Sequence, residues 1–170
     1  MAYDPHPEPA IVREARAWIN TPYRHRHARK NFGCDALGLV LGVAGLGHLI
    51  HKAPAYYPDW GVRDHNLLTA ACKLTGGRMF DQRYFKLNAP PVGAILGFEM
   101  ASGAGPKHLA IFTGDHLIHA YWGRAVVESR YADWWRNLCV GGFTLGALPN
   151  VHVTAPLPPL SGPTQGGLYA

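Results

Sequence analysis

The sequence is poor in charge: Asp, Glu, Lys and Arg make up 16% of its 170 residues, against 48% hydrophobic ones. That balance excludes a disordered chain. Cysteine is scarcer still. Cys34, Cys72 and Cys139 are an odd number with no CxxC pair, which argues against a disulfide scaffold and against a thiolate zinc site. No apolar run reaches the length of a membrane span, and the richest one, Leu37 to Ile50, is interrupted by Gly42, Gly45, Gly47 and His48. The N-terminus, MAYDPHPEPA, lacks a basic segment followed by an apolar one, so no secretory signal is visible. The expectation is a protein made in the cytoplasm that something other than its own leader carries out of the cell. There is no internal repeat, and the GxSxG elbow of serine hydrolases does not occur.

What is present suits one domain with a buried core. The formal charge of +5 and pI of about 9.3 fit an anionic partner such as nucleic acid, acidic lipid or an envelope polymer, without choosing among them. The densest basic patch is TPYRHRHARK, Thr21 to Lys30. No nucleic-acid module surrounds it, so it reads as a solvated loop beside a binding cleft, with no nucleic-acid partner expected.

Helices come first along the chain. Ile11, Val12, Ala15, Trp18 and Ile19 recur at helical spacing from Pro9 until Asn20-Thr21-Pro22 ends the pattern. A second helix is expected from Asp35, with Gly38, Gly42, Ala44 and Gly45 permitting close packing against a sheet. A third runs from Asp64 as N-cap to about Leu74, closed by Gly76-Gly77. Strands follow at Val92–Glu99, Lys107–Thr113, His116–Trp122, Arg124–Ser129 and Leu138–Leu145, with a short helix over Tyr131–Asn137. Helices followed by short antiparallel strands predict an α+β fold with the helices packed on an antiparallel sheet of five to six strands. The domain is expected to span 1–148, and 149–170, rich in Pro and Gly, to form an extended tail.

The segment KHLAIFTGDHLIHAYWG, Lys107 to Gly123, carries a geometric prediction. Gly114-Asp115 suggests a two-residue hairpin turn that pairs Thr113 with His116, Ala110 with His119 and His108 with Tyr121. Side chains alternate, so His108 and His119 share one face as diagonal neighbours, roughly 7–8 Å apart at the backbone. A lone histidine there would merely cap a sheet face. Two that lean together are how a general base is held in one tautomer. His65 and His116 have no derivable partner. His25 with His27, and His48 with His51, lack a matching carboxylate motif, so no metal or other cofactor is expected.

A nucleophile for that base is the open question. Cys72 and Cys139 have apolar neighbours and read as inert buried thiols. The stretch GCDALGLV, Gly33 to Val40, places Cys34 beside a helix start, where a thiolate is stabilised. Three readings stand: Cys34 is the nucleophile, Ala36 occupies the nucleophile's place, or the stretch is only a helix start.

TPYRHRH, GCDALGLV, PPVGAIL and KHLAIFTGDHLIHAYWGRAVVESR, in that order over Ile11 to Leu145, resemble the NlpC-type cell-wall peptidases. The likeness is greatest to the small forms of phage tails and gene-transfer particles. The resemblance implies a papain-like α+β domain that cleaves peptidoglycan stem peptides, commonly between D-glutamate and a diamino acid. It implies a cysteine nucleophile in an Asp-Cys-x-Gly-Leu pattern. Asp35-Ala36-Leu37-Gly38-Leu39 matches at every position but the nucleophile, which is Ala36. It further implies His108 as general base, His119 as the orienting residue, and Tyr23 and Asp35 on the substrate or oxyanion side. Gly93-Ala94 departs from the family's Gly-Asp, so no role follows for that carboxylate. Partners would be peptidoglycan stem peptides and other tail proteins, reached after lysis or as part of a phage-like particle. Cys34 lies two positions before Ala36, about 200° around a helix, and points away from the histidines if both are helical. Two accounts of Ala36 stay open: an engineered inactive form of a peptidase, or a natural pseudoenzyme serving as a structural or wall-binding module.

Overall fold

The computed structural model describes residues 8–59, 61–80 and 89–145. The tail expected at 149–170 lies outside the described residues.

Helix α1, Ala10–Ala17, follows Pro9 and buries Ile11, Val12 and Ala15. Helix α2, Ala36–Val43, is apolar almost all round and is buried accordingly, with Leu37, Leu39, Val40 and Leu41 fully enclosed. Two of its glycines allow close approaches, though not to the sheet as the small-residue pattern suggests. A Cβ on Gly42 would stand 2.1 Å from the Trp18 ring, and one on Gly38 would stand 1.7 Å from the His27 carbonyl oxygen. The helix is thus pressed against α1 and against the basic loop. Helix α3, Leu67–Thr75, ends at Gly76 in the left-handed conformation (φ 66°) as the Gly-Gly signal predicts. Its N-cap is Asn66, which accepts from the Thr69 N–H at 2.9 Å. The Asp64 expected in that role is instead held by Lys107 and by backbone N–H groups, which start the helix two residues later.

The sheet has six strands, all antiparallel, in the order β3-β8-β4-β5-β6-β7. They are β3 (Arg78–Phe80), β4 (Ile95–Phe98), β5 (His108–Phe112), β6 (His116–Ala120), β7 (Val126–Arg130) and β8 (Cys139–Thr144). Helix α4, Asp133–Leu138, joins β7 to β8. Four elements lack a periodic signal and escape sequence reasoning. These are β3, the two-residue pair β1 (Ala28–Arg29) and β2 (Gly33–Cys34), and the 3₁₀ turn Gly47–Lys52.

Both sheet faces are covered. Ile95, Leu109, Ile111 and Ile118 pack with the residues of α1, α2 and α3 in one cluster. Leu96, Phe98, Ala110, Phe112 and Leu117 form the other with Tyr131, against which Trp135 and Leu138 pack. No helix among the described residues is long and apolar enough to cross a membrane.

Candidate active site

The β5–β6 turn sets the histidines. Gly114 takes φ 118°, open to glycine, and the Thr113 N–H donates to the His116 carbonyl at 3.0 Å. Ala110 then pairs with His119, as the two-residue turn requires. His108 and His119 meet diagonally, with Nε2 and Nδ1 3.0 Å apart and the rings edge to face. His119 Nε2 lies 2.9 Å from Ser129 Oγ on β7. The Trp135 ring stacks on His108 at 5.5 Å and meets His119 edge-on at 5.1 Å. The pair is buried: His108 is 2% exposed and His119 1%. Burial pushes both imidazoles down, His108 to about 3 with a further contribution from His119, and His119 to about 4. Both rings are therefore neutral at pH 7, each with one proton.

The start of α2 is set by contacts distant in sequence. Asp35 caps the helix: Oδ1 accepts from the Gly38 N–H at 2.8 Å. Oδ2 accepts from the Arg26 N–H at 2.7 Å and from the Tyr56 hydroxyl at 2.6 Å. Arg26 sits in the left-handed region (φ 55°), unfavourable for a side chain, and this carboxylate bond helps hold it there. Its guanidinium donates to the carbonyls of Pro54 and Ala53 and lies over the Tyr56 ring. His25 Nε2 donates to the Tyr56 carbonyl at 2.9 Å, while Nδ1 faces Asp35 Oδ2 at 3.4 Å without a hydrogen bond. A carboxylate with three accepted bonds and 2% exposure positions the helix. It has no donor to offer an oxyanion.

Ala36 is the first residue of α2 and His108 the first of β5. The histidines sit on the sheet face opposite α1 to α3, yet these two terminal positions line one open cleft. Tyr23, Tyr56, Lys107 and Trp122 line it too, so the structure brings together Tyr23, Asp35, Ala36 and His108, with His119 one bond behind. Burial pushes the Tyr23 phenol up, and the Asp35 and Cys34 charges add to it. A larger groove of about 410 Å³ runs along α3 past Lys52, His65 and Lys73, but it joins no nucleophile to a base.

Cys34 is not part of the cleft. It lies on β2 at 0% exposure, with its N–H donating to the Pro22 carbonyl and its carbonyl accepting from the Arg24 N–H. Burial, with the Asp35 charge, pushes its thiol up to about 12, which removes it as a nucleophile. Cys72 and Cys139 are buried too, their thiols raised chiefly by burial and donating to the carbonyls of Gly77 and Gly141. The basic loop is also less open than its composition suggests. Arg26 is used internally, Lys30 pairs with Glu14, and Arg29 lies over Phe32. Among the described residues no group of three or more His, Cys, Asp or Glu is placed to hold a metal ion.

Sequence reasoning misses Ser129, Trp135, Tyr56 and Lys107. The first had a signal: a three-residue loop Trp122-Gly123-Arg124, with Gly123 at φ 72°, pairs His119 with Val127 and so brings Ser129 alongside. Lys107 had none. Its buried ammonium bridges Asp64 Oδ1 (2.9 Å) and the carbonyls of Asp59 and Val62, pinning the cleft wall. Burial opposes ionisation of Asp64, but bonds from the Tyr57 N–H, Lys107 and the His65 N–H hold its carboxyl below the usual range.

No protein-family model matches the chain. No curated protein matches it either. Solved structures do. The NlpC/p60 domain of the peptidoglycan hydrolase SagA superposes with a TM-score of 0.51 at 23% identity, covering 79% of this chain and 96% of that one. The fold is that of an NlpC/P60 domain. An NLP/P60-family lipoprotein-like protein from Staphylococcus aureus subsp. aureus Mu50 gives 0.52 at 16% identity over 85% of this chain. An NlpC/P60 family protein from Bacillus cereus ATCC 10987 gives 0.52 at 18% identity over 82%. This chain spans 43% and 41% of the length of those last two.

Proposed function

We propose that the chain is a cell-wall peptidase domain of the NlpC/P60 kind whose nucleophile position holds Ala36, so that it binds peptidoglycan stem peptides without cleaving them. The observation that carries this is the buried, hydrogen-bonded His108–His119 pair opening on the cleft that the start of α2 also lines. A cysteine at position 36 would lie in the first turn of α2, where unsatisfied N–H groups and the helix dipole favour a thiolate. His108 would take its proton as general base, and His119 would hold His108 in orientation. The thiolate would attack the stem-peptide carbonyl, with first-turn N–H groups and the Tyr23 hydroxyl donating to the oxyanion. The His108 imidazolium would then protonate the leaving amine, and water would release the acyl group. With a methyl group at position 36 the chain retains binding and loses most of the rate.

The motif likeness supports the D-glutamyl to diamino acid bond as the one recognised. It also supports action at the cell wall within a phage-like tail or after lysis. The intact histidine pair favours an engineered Cys-to-Ala form, since an abandoned site has no need to keep the base. Ala36→Cys incubated with purified peptidoglycan tests the proposal. Release of stem peptides by the variant, and none by the Ala36 chain, is expected. A folded variant that releases none counts against it. Alanine encoded at position 36 in the source gene would instead support the reading as a natural structural or wall-binding module.

A further inference from the structure

Ser129 stands on β7, one strand beyond the histidine hairpin. His119 pairs with Val127, so Ser129 is its diagonal neighbour, just as His119 is the diagonal neighbour of His108. Three polar groups are strung in line: His108 Nε2 to His119 Nδ1 at 3.0 Å, then His119 Nε2 to Ser129 Oγ at 2.9 Å.

Proton counting gives the chain a direction. When His108 accepts a proton it carries N–H on both nitrogens, so Nε2 must donate to His119 Nδ1. His119, keeping a single proton, must then hold it on Nε2. That N–H needs an acceptor in a place where His119 is only 1% exposed. Ser129 Oγ is within reach and can accept, since a hydroxyl carries two lone pairs. The opposite arrangement, with His119 protonated on Nδ1, puts the proton of neutral His108 on Nδ1. His108 would then be a donor where a base is required.

We propose that Ser129 is a positioning residue for the reaction proposed above, the terminal acceptor of a His108–His119–Ser129 relay. By accepting from His119 Nε2–H it selects the tautomer that leaves the proton-accepting lone pair of His108 on Nδ1. It touches neither nucleophile nor substrate and acts through His119. The inference rests on the peptidase reading for its purpose, but its geometry can be tested without activity.

Nitrogen-resolved NMR of the histidines at pH 7 in the Ala36 chain should find His119 protonated on Nε2. Ser129→Ala should move a measurable fraction of His119 to the Nδ1–H form, and Ser129→Thr, which keeps the hydroxyl, should restore it. In Ala36→Cys, Ser129→Ala should lower kcat about tenfold, the value of one partly buried hydrogen bond, with KM within about twofold, and Ser129→Thr should recover most of the loss. The thermal midpoint of each variant checks that the fold persists. An unchanged His119 tautomer in Ser129→Ala, or an unchanged kcat, overturns the relay. If Ala36→Cys is inactive with every stem peptide, the peptidase reading falls while the spectra still decide the tautomer.

Discussion

The β5–β6 hairpin and the loop from Tyr23 to Asp35 reach the same cleft by opposite routes. The hairpin is local: one turn, Gly114-Asp115, sets a register that brings His108 and His119 together eleven residues apart. The loop is held from a distance, with Asp35 tied to Tyr56, and Arg26 tied to Ala53 and Pro54. The histidine end of the cleft is thus an outcome of strand pairing, and the α2 end an outcome of one buried carboxylate. Each should fail under a different insult.

Loss of that carboxylate has the largest expected effect. Asp35→Ala removes a helix cap and leaves the Arg26 N–H and Tyr56 hydroxyl without their acceptor. The expected cost is about 3–5 kcal/mol, read from chemical denaturation. A loss below about 1 kcal/mol would mean the loop does not depend on Asp35 and would erase the contrast with the hairpin.

Acid should strike the hairpin instead. Both histidines have folded values below the unfolded 6.5, at about 3 and about 4. The unfolded chain therefore takes up protons first as pH falls. Their contribution is fully present above about pH 6.5 and is lost downward toward those folded values. A progressive loss of stability between pH 7 and pH 4, read from chemical denaturation, is expected from the pair. His108→Gln should flatten that slope, and the same slope in variant and parent would contradict the burial account.

The same contrast explains what was legible in the sequence. The order of helices and strands and the histidine register are local, and they follow from periodicity and one turn. The cap of α3 shifts from Asp64 to Asn66 because Lys107, distant in the chain, takes Asp64. Likewise β1 and β2 are two residues each, too short for any alternation to show. Position 36 is marked by the resemblance alone, through the Asp-x-x-Gly-Leu pattern; that Asp35 caps α2 and Gly38 lies against the His27 carbonyl shows only in the folded chain. The burial that disqualifies Cys34 becomes visible only when the loop is folded onto α2.

The central claim is that the cleft holds everything a cysteine nucleophile needs except the sulfur. Alkylation of Ala36→Cys by iodoacetamide across pH, with modification located by mass spectrometry, tests it most directly. The account predicts that position 36 reacts as a thiolate already at pH 6–7, well below the ordinary thiol value of about 8.5. Cys34, Cys72 and Cys139, all buried with raised values, should stay unmodified in the folded chain. A thiol at position 36 that titrates at or above 8.5, or reacts no faster than Cys34, would contradict it.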